Sequence, residues 1–589
     1  MEYKLIDEYF NALNLRKPNL TLLRPDADYY TSLLLQPQGT LAFGNDFIRI
    51  ADIPTAEAKF NSFFDLASEK NVDLAITPEY SCPWSVIANL VDSSILPEEN
   101  KIWVVGCESI KAGQLNDFIN QRNNITWIVE NAVINGNLNN QRFFDPVCYI
   151  FKTRDNANTV RTVIIVQFKT HFLGGADLEW ERDNFIPGSR IYILENSGNH
   201  SSRLLTLICS DALSPDLNNL DHPHFADSAY LIIHIQLNKA PNHGNYCQYR
   251  RNIYGMGREN KEFLCLNWAR NVIVNNASWN AYGGSAFYIK PEKKGDINTN
   301  DERLNKNQLL GMYYTHWKDK YAHIFLLNYD EHVFFLRTTK PSQSFADPAN
   351  RKRSGPEMEE TLVWNAINNQ WEHGANLDGG LQQTCVALNN GRNYNFILAH
   401  SRTSPIDTER LLYLSNGKAT YENWFDPAKN TFFLIKDDEI NKRMTFTQNP
   451  CPVTLTERRA ILLKYGTLEY TIIIDPNLFP PSINDLANNC SINYRIPGYE
   501  DEFNLNLYPA NNNGIPACGA FIGQATTDDA KAVLNKMISL FTKDQYGKRT
   551  VVWYVDDNLQ TQKEFVSEKP KFTENTNRSR ISIKSGKRR

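Results

Sequence analysis

The stretch Arg203 to Asp211, RLLTLICSD, constrains this chain more than any other. Leu204, Leu205, Leu207 and Ile208 form an apolar run that reads as a buried strand. It stops at Cys209, with Ser210, Asp211 and Ser214-Pro215-Asp216 directly beyond. A thiol is thereby set where strand gives way to turn. A lone cysteine in that setting is by default a small buried hydrophobe. Its meaning changes when other reactive groups share the same local context.

Two other titratable residues do. Val72 to Thr77, VDLAIT, is a short apolar strand that breaks at Pro78-Glu79, and Val160 to Phe168, VRTVIIVQF, is another that ends at Lys169. In an open α/β sheet the pocket lies beyond the carboxyl ends of the strands, so parallel neighbouring strands would bring Glu79, Lys169 and Cys209 to one edge. Their chemistry is complementary. A carboxylate in reach of a thiol can take its proton, and a fixed ammonium can support negative charge developing on a substrate oxygen. The combination suits attack on an amide or nitrile carbon and requires neither a metal nor another cofactor.

At these residues the sequence resembles the nitrilase superfamily, carbon-nitrogen hydrolases with a Glu-Lys-Cys triad. TPEYS at 77 to 81 is similar to the segment carrying the general-base glutamate, KIWVVGCES at 101 to 109 to the strand after it, and FKTH at 168 to 171 to the lysine motif. ERDNFIPG at 181 to 188 is similar to the stretch where the family places a supporting glutamate before an aromatic-x-Pro-Gly turn, which implies that role for Glu181, with Glu179 as a nearby competitor. CSDALSPD from Cys209 is similar to the nucleophile segment, and RENKEFLCLNWARN from Arg258 and GGSAFY from Gly283 to downstream strands. The match spans roughly residues 40 to 340. It implies Glu79, Lys169, Cys209 and Glu181 as catalytic residues, and Tyr80, His171, Ser210 and Asp211 around the substrate. Two positions depart from the family: Leu213 stands where an arginine commonly follows the aspartate, and Ser210 where many members carry an aromatic residue.

The fold class is α/β. The resemblance implies a four-layer αββα sandwich of the nitrilase type, followed by an additional C-terminal α+β domain. Length allows it, since 589 residues suffice for two large domains. Residues 1–39 read as an N-terminal extension with an amphipathic start, Tyr3 to Leu13, and 40–345 as the nitrilase-like domain. Within it Thr55 can cap a helix carrying Phe60, Phe63, Phe64 and Ala67. DPVCYIFKTR and the lysine strand form a pair turning at Asp155 to Asn158, and Lys318 to Arg337 holds two strands turning at Asn328 to Glu331. Residues 346–360, rich in Pro, Ser, Lys and Arg, read as a linker, 361–566 as the second domain, and 567–589 as a basic tail. In that second domain Asp528 to Asp544 reads as a capped helix followed by the strand Thr550 to Val555.

A net charge of −4 and a pI near 6.3 give no global drive toward nucleic acid. The tail is the exception. From Lys569 to Arg589 its eight Lys and Arg face only Glu574, a composition that argues for disorder and offers contact with nucleic acid or an acidic partner. No apolar stretch approaches the ~20 residues of a membrane span. The cysteines lack framework spacing, and the start MEYKLIDEYF has no basic, apolar leader pattern, so the expected compartment is the cytoplasm.

Several tempting patterns are weaker. His222-Pro-His224 lacks a third ligand, and His234, flanked by isoleucines, reads as a satisfied core histidine. Tyr554 to Asp557 spells YVDD without the further aspartate a polymerase site needs, and Cys385 with His400 has no third partner. The reading is therefore a cytoplasmic, amidase-like carbon-nitrogen hydrolase cleaving a small non-peptide amide through a cysteine thioester. The resemblance implies a homo-oligomer, a dimer or larger. The alternatives are an acyltransferase using the same thioester, and a regulatory or antiviral-defence protein whose nitrilase-like half senses a ligand or serves as an assembly platform.

Overall fold

The computed structural model describes residues 2–24, 29–44, 46–172, 179–197, 201–214, 229–241, 244–255, 261–274, 276–279, 284–290, 301–317, 322–339, 355–374, 381–388, 394–418, 444–445, 452–494, 504–511, 514–539, 541 and 543–566. The chain forms two compact units, Met1–Asp378 with Phe425–Lys442, and Gly379–Trp424 with Arg443–Arg589. The His222 and His224 pair, the basic tail and the first part of the expected linker lie outside the described residues. Among the described residues no helix is long and apolar enough to cross a membrane.

The first unit is built on two sheets. In chain order its main elements are β1 (Glu2–Leu5), α1 (Asp7–Ala12), β2 (Tyr29–Gln36), α2 (Ile53–Glu69), β3 (Leu74–Cys82), α3 (Trp84–Asp92), β4 (Ile102–Cys107), β5 (Thr126–Ile128), β6 (Pro146–Arg154), β7 (Val160–Phe168), α4 (Glu179–Asn184), β8 (Arg190–Glu195) and β9 (Arg203–Ile208). They continue with β10 (Tyr230–Ile235), α5 (Gly244–Gly255), β11 (Lys261–Leu266), β12 (Ala286–Lys290), β13 (Met312–Trp317), β14 (Ala322–Leu327), β15 (His332–Thr339), β16 (Glu357–Asn365) and β17 (Gln370–His373). One sheet has nine strands in the order β17-β16-β15-β2-β3-β4-β6-β7-β5, the other eight in the order β1-β8-β9-β10-β11-β12-β14-β13.

Period-two alternation explains the layering. Leu33, Leu35, Ala75, Trp103, Val105, Ile150 and Ile164 of the nine-stranded sheet pack into one cluster with Phe60, Phe63 and Phe64 of α2 and Ile87 of α3. Each fully buried phenylalanine there contributes roughly 2–3 kcal/mol. The residues between them, Leu34, Ile76, Val104, Tyr149 and Ile165, are equally buried and point to the opposite face, toward the second sheet. Gln167 of β7 fastens the two sheets: Nε2 donates to the Thr206 carbonyl of β9 at 2.9 Å, and Oε1 accepts from the Tyr192 amide of β8 at 3.0 Å. On the far side, Tyr249 of α5 packs edge-on against Phe263 of β11. Helix, sheet, sheet and helix form the expected αββα sandwich.

Three details differ from the sequence reading. Residues 1–39 are integral, because β2 lies inside the nine-stranded sheet, antiparallel to β15 and parallel to β3. The continuous apolar run Leu33-Leu34-Leu35 needs cover on both faces, which only an interior strand provides. The expected turn at Asn328 to Glu331 is present between two strands, and it carries the chain from one sheet to the other, since β14 and β15 belong to different sheets. The first unit also extends past the expected linker: β16 pairs with β15 and β17 with β16, so the unit runs to Asp378. Finally, Asp52 caps α2, accepting from the Thr55 amide at 3.3 Å, where Thr55 was the expected cap.

The second unit is α+β. It contains α6 (Leu381–Ala387), α7 (Asn395–Ser401), α8 (Pro405–Leu414), α9 (Pro452–Thr467), β18 (Cys518–Gln524), α10 (Thr527–Ile538), β19 (Thr550–Val555) and β20 (Thr561–Phe565). β18, α10 and β19 form a parallel crossover, with Thr526 and Asp529 closing a capping box at the helix start. Asp556 of the YVDD tetrapeptide accepts from the Asn558 and Gln560 amides in the turn between β19 and β20. It is a turn residue.

Candidate active site

Glu79 owes its position to a bulge. Thr77 pairs with Val105 and Cys82 with Cys107, so Pro78, Glu79, Tyr80 and Ser81 of β3 oppose Gly106 alone. Tyr80 takes a left-handed backbone, φ 55°, and Ser81 Oγ donates to the Pro78 carbonyl at 2.6 Å. Only glycine fits opposite: a Cβ on Gly106 would lie 2.1 Å from that carbonyl oxygen. A bulge of this kind re-aims a side chain. Here it sends the Glu79 carboxylate into the space between the sheets, where Oε2 accepts from the Leu237 amide just past β10 and the Glu79 carbonyl accepts from Trp268 Nε1 at 2.7 Å.

Lys169 leaves the end of β7 and is clamped by its backbone. Its amide donates to the Asp145 carbonyl at 2.8 Å, and its own carbonyl accepts from the Gly188 amide at 2.8 Å. Gly188 closes the FIPG turn against Phe168, whose Cβ would lie 2.7 Å from any side chain placed there. The buried ammonium bonds Glu79 Oε1 at 2.8 Å and Glu181 Oε1, and lies 3.6 Å from Asp145. Tyr80 donates its phenol to Glu181 at 3.1 Å, and the rings of Tyr80 and Phe185 stand 5.8 and 5.9 Å from the ammonium. The Glu179 side chain lies outside the described residues.

Cys209 opens a 3-10 turn, Cys209–Leu213, at the end of β9. Its φ of 42° is a left-handed conformation that costs a β-carbon residue about 1–3 kcal/mol. The fold holds it there. The Cys209 carbonyl is 2.9 Å from His234 Nε2, and Tyr249 Oη is 2.7 Å from His234 Nδ1. A carbonyl can only accept, so Nε2 carries the ring proton and Nδ1 accepts from the tyrosine. Burial pushes the His234 pKa down to about 3, which keeps the ring neutral. The expected core histidine is therefore satisfied, and it braces the nucleophile's backbone. The thiol sits 3.6 Å from the Tyr246 hydroxyl of α5.

The expected convergence occurs, by another route. β3 and β7 share the nine-stranded sheet but are separated by β4 and β6, and β9 lies in the other sheet. Glu79 and Lys169 bond directly, and the Cys209 thiol lies near enough to feel both charges, between two packed sheets and not along one open edge. The lysine and cysteine segments are tied directly. Asp211 Oδ1 accepts from the Thr170 amide at 2.7 Å, Thr170 Oγ1 at 2.7 Å and the His171 amide at 3.1 Å, while Oδ2 accepts from the Ile208 amide at 3.1 Å. Ser210 Oγ donates to the His171 carbonyl at 2.5 Å. Asp211 and Ser210, expected around the substrate, are buried and engaged in these ties. Their short polar side chains reach the neighbouring backbone before they could reach a ligand. His171 is half-buried, its Nδ1 2.8 Å from Thr170 Oγ1.

Electrostatics follow from burial. The Cys209 thiol is pushed well above its ordinary pKa by burial and by Glu79, against the pull of Lys169, so it rests protonated. Burial also raises Glu79, with Lys169 opposing. Burial alone would lower Lys169, but Glu181 and Glu79 outweigh it and keep the ammonium charged. Asp145, Tyr246 and the His234–Tyr249 brace were missed in the sequence. For Asp145 the signal was present, because the β6–β7 register pairs Pro146 with Phe168 and so sets Asp145 beside Lys169. Oxygens of Glu79, Asp145 and Glu181 lie within 4.8 Å of one another, a spacing that suits a cation. Lys169 supplies one.

No protein-family model matches the chain, and no curated protein does. Solved structures to which it is similar include a CN-hydrolase superfamily protein from Xanthomonas campestris with an arsenic adduct in its active site, at 12% identity and TM-score 0.27, covering 45% of this chain and 83% of that one. A carbon-nitrogen hydrolase from Helicobacter pylori G27 is similar at 10% identity and TM-score 0.26, covering 45% and 82%. A glutamine-dependent NAD(+) synthetase from Cytophaga hutchinsonii is similar at 10% identity and TM-score 0.26, covering 90% of this chain and 66% of that one. Likeness at this level bears on neither substrate nor residue roles.

Proposed function

We propose that the first unit is a carbon-nitrogen hydrolase that cleaves a small, non-peptide amide through a thioester on Cys209. The observation that carries this reading is a single buried ammonium, Lys169, held by Glu79 and Glu181 and tied through Thr170 and Asp211 to the strained turn that presents the thiol.

Chemistry follows from the protonation states. As Cys209 sulfur attacks the amide carbon, its proton passes to Glu79, a carbon–sulfur bond forms, and the carbonyl electron pair moves onto oxygen, where Lys169 stabilises it. Collapse breaks the carbon–nitrogen bond, and the amine leaves with the proton held by Glu79. Water then gives a proton to Glu79 and attacks the thioester, releasing the acid and restoring the thiol. Glu181 acts on Lys169, fixing the ammonium and taking the Tyr80 phenol.

Mass spectrometry after rapid quenching with a panel of aliphatic amides tests the reading. An acyl adduct on the Cys209 peptide, absent in Cys209→Ala together with all turnover, is the expected result. Undiminished turnover by a folded Cys209→Ala protein overturns it.

A further inference from the structure

Asp145 is the carboxyl around Lys169 that the mechanism leaves unused. It is fully buried, and neither side-chain oxygen has a hydrogen-bond donor among the described residues. The ammonium is 3.6 Å away and already bonded to Glu79 and Glu181. What the Asp145 carboxyl does meet is the Glu79 carboxyl: their oxygens lie within 4.8 Å in the dry interior, and each carboxyl shifts the other's proton affinity as a hydrogen-bonding neighbour would. Two carboxylates cannot share a hydrogen bond, since both only accept. One of the pair must hold a proton, because like charges in contact in a dry site cannot both stay ionised.

The donors around the pair decide which. Glu79 receives Lys169 on one oxygen and the Leu237 amide on the other, both of which favour its anion. Asp145 receives neither. Burial and the Glu79 charge push its carboxyl well above the ordinary aspartate range. The charged and titratable groups facing it are Glu79 and Tyr80 from β3, Lys169 past β7 and Glu181 from α4.

We propose that Asp145 is a positioning residue that remains a neutral acid at neutral pH and donates its hydrogen bond to Glu79, orienting the base while keeping a further negative charge out of the site. With Asp145 neutral, the two glutamates and Lys169 leave one net negative charge. Were it ionised there would be two, directly opposing the charge that gathers on sulfur and substrate oxygen. The proposal rests on the hydrolase reading for its purpose but not for its test.

Infrared spectroscopy of the full-length protein at pH 7 should show a protonated-carboxyl carbonyl band that shifts on 13C-aspartate labelling and is lost in Asp145→Asn. Asparagine keeps a donor toward Glu79 and cannot ionise, so Asp145→Asn should react with iodoacetamide at Cys209 within about threefold of the unsubstituted protein, whereas Asp145→Ala should be about tenfold slower. Absence of the labelled band in the folded, unsubstituted protein overturns the proposal, and so does Asp145→Asn reacting as slowly as Asp145→Ala. A Cys209→Ala protein that retains turnover would sink the hydrolase reading and leave the band in place.

Discussion

Asp211 Oδ1 and the Thr170 amide, 2.7 Å apart, join the turn that bears the nucleophile to the residue after the lysine, so one buried carboxylate sets the spacing of two reactive groups on different sheets. Asp211→Ala would strand the amides of Thr170, His171 and Ile208 in the interior. A buried unsatisfied donor costs about 1–3 kcal/mol. The expected loss is about 3 kcal/mol in denaturant unfolding, with alkylation of Cys209 slowed about a hundredfold by misplacement.

Gly106→Ala should act on the Glu79 carboxylate through the backbone alone. The new methyl group would collide with the Pro78 carbonyl at 2.1 Å, so the bulge must shift and carry the carboxylate with it. A displacement near 1 Å costs roughly a hundredfold in rate. Turnover of the amide panel falling by less than threefold in Gly106→Ala would show that the bulge does not position the base.

Tyr246→Phe removes the hydroxyl 3.6 Å from the thiol. The phenol favours the thiolate, so its loss should raise the Cys209 pKa further and slow alkylation by iodoacetamide about tenfold. The check is the pH dependence of alkylation, which should move to higher pH.

Two pKa shifts of opposite direction, Glu79 raised and His234 lowered, both penalise acid conditions. Glu79 must be ionised to accept the thiol proton, and its folded-state pKa is raised, so the acid limb of kcat/KM should begin above the ordinary value of 4.5. His234 is depressed from 6.5 to about 3. Its contribution, about 5 kcal/mol, is fully present above pH 6.5 and is lost as pH falls toward 3, because the unfolded chain then binds a proton the native ring refuses. Thermal denaturation of His234→Gln across pH 3 to 7 should lack that part of the acid slope.

The reactive residues were readable because each ends an apolar run: VDLAIT before Glu79, VRTVIIVQF before Lys169, RLLTLI before Cys209. Sheet membership was not, since a strand buried on both faces looks the same in either layer of a sandwich. For the same reason the Asn328 to Glu331 turn was readable as a turn between two strands, while its crossing from one sheet to the other was not. Asp145 could have been found by counting back from the Asp155 to Asn158 turn, because an antiparallel register fixes who faces whom. The roles of Ser210 and Asp211 were hidden in another way. Most of their partners are backbone atoms of Thr170 and His171, about forty positions away, which side-chain pattern does not encode.

β2 has one further consequence. It lies between β3, which follows within some forty residues, and β15, which begins at His332. As the chain emerges from the ribosome, one flank of β2 therefore waits for about three hundred residues of synthesis before its partner exists. Pairings this remote in sequence form slowly, and an open apolar strand edge invites strands from other chains. Newly made protein should thus depend on a chaperone, or on slow translation, until β15 arrives to close the sheet.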